Sequence, residues 1–154
     1  MFRFVLLLLA VFSSQWYAHA GRADALPDLL ERLTPSVVGV GAAYPLRSPT
    51  GGRPPRRLMG TGFVVQAGAD TFVVTNAHVI PTDLDGDGRE QIAIFSGRGN
   101  NSSQRFARVL KNDPEHDLAV LAYEGSRLPA MVLAADDRVR PGERVAFTGF
   151  PVGA

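Results

Sequence analysis

The chain has 154 residues and is nearly balanced in charge, with 16 Lys and Arg against 15 Asp and Glu, and it contains no cysteine. No basic stripe marks a nucleic-acid partner, and no acidic block marks a solvating tail. Without disulfides, stability has to come from packing, and a chain of about 150 residues builds one core rather than two.

The first twenty residues have the pattern of an export signal. Arg3 gives a positive start, Val5 to Phe12 is an unbroken apolar run, and Ala18-His19-Ala20 places small residues where a signal peptidase cuts, before Gly21. The run is far short of the roughly 20 residues of a membrane-spanning helix. The expectation is an exported protein, periplasmic or extracellular, with no membrane attachment after cleavage and with residues 21–154 forming one domain.

Leu26, Leu29, Leu30 and Leu33 recur at helical spacing with Pro27 early, which predicts a short helix. Thr34-Pro35 ends it, because the residue before a proline is pushed away from helical backbone, and Val37 to Val40 then reads as a strand. Pro45 to Arg57 is rich in proline, glycine and arginine with no apolar period, which predicts a surface loop. Six short β-rich runs follow: Thr61–Gln66, Thr71–Thr75, Gln91–Phe95, Phe106–Leu110, Leu118–Tyr123 and Arg144–Thr148. Turn formers such as Gly68, Asp85-Gly86 and Asp113-Pro114 separate them. Short strands with no long helical pattern between them predict an all-β barrel or sandwich.

His19 leaves with the signal, so His78 and His116 are the histidines of the exported chain. His78 follows an apolar strand in Thr75-Asn76-Ala77-His78-Val79-Ile80, and Asp117 stands directly before another in His116-Asp117-Leu118-Ala119-Val120-Leu121. A histidine can take a proton from a nucleophile and return it to a leaving group when a buried carboxylate fixes its tautomer. His78 and Asp117 are the residue types for that pair. Taken singly, a histidine in an apolar setting is more often a core residue, and an aspartate before a strand is more often a turn residue. His116 is expected to be an exposed turn histidine, with the substrate cleft as its other possible setting.

Four blocks in order tip the balance. Gly60-Thr61-Gly62-Phe63-Val64-Val65, Val74-Thr75-Asn76-Ala77-His78-Val79, Asp117-Leu118-Ala119-Val120-Leu121, and Gly142-Glu143-Arg144-Val145 running into Gly149-Phe150-Pro151-Val152-Gly153 resemble the first half of trypsin-like serine proteases of the HtrA (Deg) type. Leu29 to Val38 looks like the opening of their protease domain. The resemblance implies a Greek-key barrel, the first of two, with the start of the second, and a cleft between them holding the active site. It implies His78 as general base and later general acid, and Asp117 as its orienting partner. The second barrel would bring the serine nucleophile, the oxyanion hole and the specificity pocket.

Ser36, Ser48, Ser96, Ser102, Ser103 and Ser126 are the serines past residue 20, and none sits in a Gly-x-Ser-Gly-Gly setting. The expectation is therefore an amino-terminal protease half that does not cleave peptides by itself. Its expected partners are polypeptide substrates or a serine-bearing second half. A non-catalytic module binding peptide or partner is the alternative. No cofactor is expected. Asp83-Leu84-Asp85-Gly86-Asp87-Gly88 opens like a calcium loop, but Ile94 occupies the twelfth position where a bidentate glutamate is required, so an acidic turn is the better reading and no metal is assigned.

Overall fold

The computed structural model describes residues 25–44, 56–84, 89–97, 101–134, 140–142 and 145–150. The proposed export signal and its cleavage point lie outside these residues, as do Asp85 to Gly88.

Helix α1 (Ala25–Leu33) forms where the leucine spacing predicts it, with Asp28 in its first turn and Arg32 in its last, each matched in sign to the helix dipole. All of it but Leu33 belongs to a separate unit of the chain that ends at Arg32. Among the described residues, no helix is long and apolar enough to cross a membrane. After Leu33 the chain makes a 3-10 turn over Thr34–Ser36 and becomes extended at Val37.

Six antiparallel strands follow: β1 (Val37–Ala43), β2 (Arg56–Ala67), β3 (Asp70–Thr75), β4 (Gln91–Ser96), β5 (Ser103–Asp113) and β6 (Leu118–Tyr123). They close into a barrel in the order β1-β2-β3-β6-β5-β4, with β4 pairing back to β1. Placing β4 beside β1 and β6 beside β3 makes the connection Greek-key in type. The core is built from β-branched and aliphatic side chains: Val38, Val40, Val64, Val73, Ile94 and Leu121 are sealed from solvent. Burying each such side chain contributes about 1.5–3 kcal/mol relative to leaving it exposed. All seven residues of β1 are buried, and on its outer face Leu58, Phe95 and Phe150 close over Gly39.

Three expectations change in detail. Arg56 and Arg57 belong to β2 rather than to the preceding loop, since the strand runs five residues further back than Thr61. Their long side chains find partners elsewhere: Arg57 bonds Asp83 at 2.9 Å and Glu90 at 3.0 Å, and Arg56 lies over the Phe95 ring. Strand β5 likewise extends past Phe106–Leu110 at both ends, through polar residues whose backbone still pairs, Ser103 and Gln104 with β4 and Lys111 to Asp113 with β6. Residues 145–148 form no strand, because an extended segment needs a ladder partner for its backbone groups and none is present among the described residues. Val145 and Phe147 are 76% and 99% exposed, as a strand awaiting a neighbour would leave them.

Past β6 the chain is tied to the barrel wall at several points, two of them on β2 near the site. β1 stops pairing with β2 at Phe63, and Met131 takes the vacated side, its N–H donating to the Val64 carbonyl at 2.9 Å. Further on, the Phe150 N–H donates to Thr61 Oγ1 at 2.8 Å, with Gly149 passing so close that a Cβ there would lie 2.8 Å from the same oxygen.

Candidate active site

The Gly60-Thr61-Gly62 run of β2 sets the floor of the site. Gly60 has no side chain because Val79 occupies that space, and Val79 is 95% buried as a result. Val79 closes the 3-10 turn Ala77–Val79, so seating it on β2 fixes the turn that carries His78. Thr75 at the end of β3 adds a 2.7 Å bond from its hydroxyl to the Thr61 carbonyl. The imidazole therefore stands on a short turn beyond the strand, held from below.

Asp117 arrives from the other side of the β3–β6 pairing. It ends the turn between β5 and β6 with φ at 52°, the left-handed backbone region that aspartate tolerates better than most residues. Its carboxylate meets His78 at Nδ1, 2.7 Å from Oδ2 and 2.9 Å from Oδ1. The backbone N–H of His78 also donates to Oδ1 at 3.0 Å. Asn76 donates from Nδ2 to the Asp117 carbonyl at 3.0 Å and to Oδ2 at 3.2 Å. The backbone N–H of His78, and then its imidazole, hold the Asp117 carboxyl below the usual carboxylate range. The carboxylate is thus ionised at neutral pH and is the acceptor for an Nδ1–H tautomer, leaving Nε2 with a lone pair.

Both residues that the sequence singled out thus lie within hydrogen-bond reach of each other. One difference is in burial: the Asp117 side chain is 45% exposed and that of His78 is 71% exposed, where the sequence reading expects a buried carboxylate. Covering them requires a second wall that the described residues do not include. His116 is an exposed turn histidine as expected, and it is paired with Asp113, 3.0 Å from Nδ1 to Oδ2. Asp83 at the head of the acidic loop spends both carboxylate oxygens on Arg57. Among the described residues, no group of three or more His, Cys, Asp or Glu side chains could hold a metal ion. The contacts of Asn76 and Thr61 cannot be read from the sequence. Each stood inside a motif block, but its partner lies 41 or 89 residues away.

Comparison with known proteins agrees with the fold and the motif order. The family model for the trypsin-like peptidase domain matches residues 60–154. The chain is 30% identical over 127 residues to serine protease HTRA3 of Rattus norvegicus, covering 82% of this chain and 26% of that protein. It is 35% identical over 107 residues to a probable periplasmic serine endoprotease DegP-like of Ectopseudomonas mendocina, covering 70% of this chain and 20% of the relative. Among solved structures, the HtrA-type protease AlgW with decapeptide superposes with a TM-score of 0.53 at 24% identity, over 77% of this chain and 38% of that one, and so supports the fold. The chain thus spans about a quarter of the length of these curated relatives. Barrel order, motif order and family match together mean that this chain belongs to the trypsin-like peptidase family, in its HtrA type.

Proposed function

We propose that the chain supplies the base-bearing half of a serine endopeptidase site, in which His78 is the general base and Asp117 its orienting carboxylate. The observation that carries this reading is the 2.7 Å contact between His78 Nδ1 and Asp117 Oδ2, on an exposed edge where Nε2 has no partner among the described residues. Nε2 takes the proton of a serine hydroxyl as its oxygen attacks a peptide carbonyl, then gives that proton to the departing amine, and water releases the acyl group by the same route. Among the described residues no serine hydroxyl lies within hydrogen-bond reach of His78. The nucleophile and oxyanion hole come from a second barrel of the kind the family resemblance implies. The substrates are exposed segments of other polypeptides, and residues 1–20 direct the protein to an exported, periplasmic setting like the one named for its DegP-like relatives.

The test has two arms. The 154-residue chain alone should not react with a fluorophosphonate probe, whereas the chain joined to a serine-bearing second barrel of an HtrA relative should label and should cleave casein. In the joined protein, His78→Ala should lower turnover by about a millionfold, and Asp117→Asn by about ten-thousandfold. Labelling of a serine in the chain alone would refute the division of roles. A well-folded joined protein that binds peptide without cleaving it would favour the binding-module reading instead.

A further inference from the structure

Asn76 sits directly before the turn that carries His78, at the N-cap position where an asparagine ordinarily turns its side chain onto the following backbone N–H groups. It makes no such cap. The turn is closed by backbone alone, with the Val79 N–H donating to the Asn76 carbonyl, and the Asn76 side chain reaches across to the β5–β6 turn. There its two amide hydrogens meet two acceptors of one residue, the main-chain carbonyl and Oδ2 of Asp117. Because both facing atoms are acceptors, the amide must present its nitrogen and not its oxygen.

Asp117 needs such a restraint. Its φ of 52° is the one positive value among the described non-glycine residues, and its side chain is 45% exposed, so packing does little to hold the carboxylate. Resting on the catalytic reading of His78 and Asp117, we infer that Asn76 is a positioning residue of the site, which locks the backbone and one carboxylate oxygen of Asp117 so that the carboxylate accepts the Nδ1–H of His78. It acts through Asp117 and touches neither substrate nor nucleophile. Its donated bonds hold the carboxylate plane, and the plane selects the imidazole tautomer that leaves Nε2 free to accept a proton.

The tautomer of His78 can be read without any enzymatic turnover. In the full chain carrying 15N-histidine, with His78 assigned by the loss of its signals in His78→Gln, the nitrogen shifts of the neutral ring give the ratio of the Nδ1–H to the Nε2–H form. Nδ1–H should dominate in the unmodified chain. Asn76→Ala should lower the ratio about tenfold, the factor that corresponds to about 1.4 kcal/mol for a hydrogen bond to a charged acceptor. Asn76→Leu keeps much of the volume but offers no N–H, and should show the same loss. His116, bonded to Asp113 on the same turn, is the internal control and should keep its tautomer in both variants. An unchanged His78 ratio in both variants overturns the role of Asn76 and leaves the catalytic reading standing. Equal changes at His78 and His116 also overturn it, since they mark a general loosening of the turn. A ring with no Nδ1–H preference in the unmodified chain sinks the catalytic pair and, with it, the positioning role.

Discussion

A methyl group at Gly60 should damage this barrel more than its size suggests. A Cβ there would lie 2.6 Å from Val79 Cγ2 and 2.8 Å from Cγ1, where carbon atoms in contact settle about 3.5–4.0 Å apart, so roughly 1 Å of relief has to be found. Val79 is poorly able to give it, being β-branched, stiff at χ1 and only 5% exposed. Overpacking of this kind costs about 1–3 kcal/mol. Replacing glycine by alanine returns about 0.4–1 kcal/mol through the unfolded chain, which leaves Gly60→Ala less stable by about 1–2 kcal/mol. With a urea slope of about 1–3 kcal/mol per molar, the unfolding midpoint should fall by about 0.3–2 M. Val79→Ala alone should cost about 2 kcal/mol for the lost methyl groups and the space they leave. In the double variant the new methyl enters that space, so the two losses should fail to add by about 1–2 kcal/mol. An unchanged midpoint for Gly60→Ala, or strictly additive losses in the pair, would refute the claim that Gly60 exists to seat the His78 turn.

Three further outcomes are expected. The Asp117 carboxyl is held below its ordinary value of 3.8, first by the His78 backbone N–H, so its contribution to stability is present above the unfolded value and is lost as pH falls through the folded one. The acid limb of stability should therefore be shallower in Asp117→Asn than in the unmodified chain, and superimposable limbs would count against the ionised pair. Val132, Leu133, Val145 and Phe147 are 95%, 63%, 76% and 99% exposed, and apolar surface of this kind invites association. The chain alone should bind a hydrophobic dye, less so after Val132→Ser and Phe147→Ser, and a dye-silent monodisperse monomer would show these residues to be covered. Calcium titration should give no heat at micromolar concentration, because the Asp83 carboxylate is engaged by Arg57 and no closing glutamate follows the loop. A micromolar dissociation constant that vanishes with Asp85→Ala would overturn that expectation.

The parts of the fold that could be read from the sequence were those whose cause is local. Runs such as Phe72-Val73-Val74 and Ile92-Ala93-Ile94 read as strands because β-branched side chains favour extended backbone and have a core to face. The start of β2 was hidden because Arg56-Arg57-Leu58-Met59-Gly60 shows no alternation; what holds it there are partners from other segments, Asp83, Glu90 and Phe95. Residues Arg144 to Thr148 gave the opposite error, since the alternation is present but no neighbouring strand completes it among the described residues. His78 and Asp117 stood out by residue type and by motif, each beside an apolar strand. Asn76 did not, because an asparagine before a turn is read as a local cap, whereas its amide acts 41 residues away.

The strand order has a consequence for how such a chain becomes competent. Strands β1 to β3 pair consecutively, as do β4 to β6, so each triplet is a meander that can form from nearby contacts. The two meanders meet only along β3–β6 and β1–β4, and such long-range seams carry the loop-closure cost and form slowly. His78 follows β3 in the first meander, and Asp117 precedes β6 in the second. Neither meander alone carries the pair, and the imidazole meets its carboxylate only when the β3–β6 seam has zipped as far as Thr75 and Ala119. The His78–Asp117 hydrogen bond thus depends on the β3–β6 seam, and a chain in which only the separate meanders have formed holds the histidine with no carboxylate beside it.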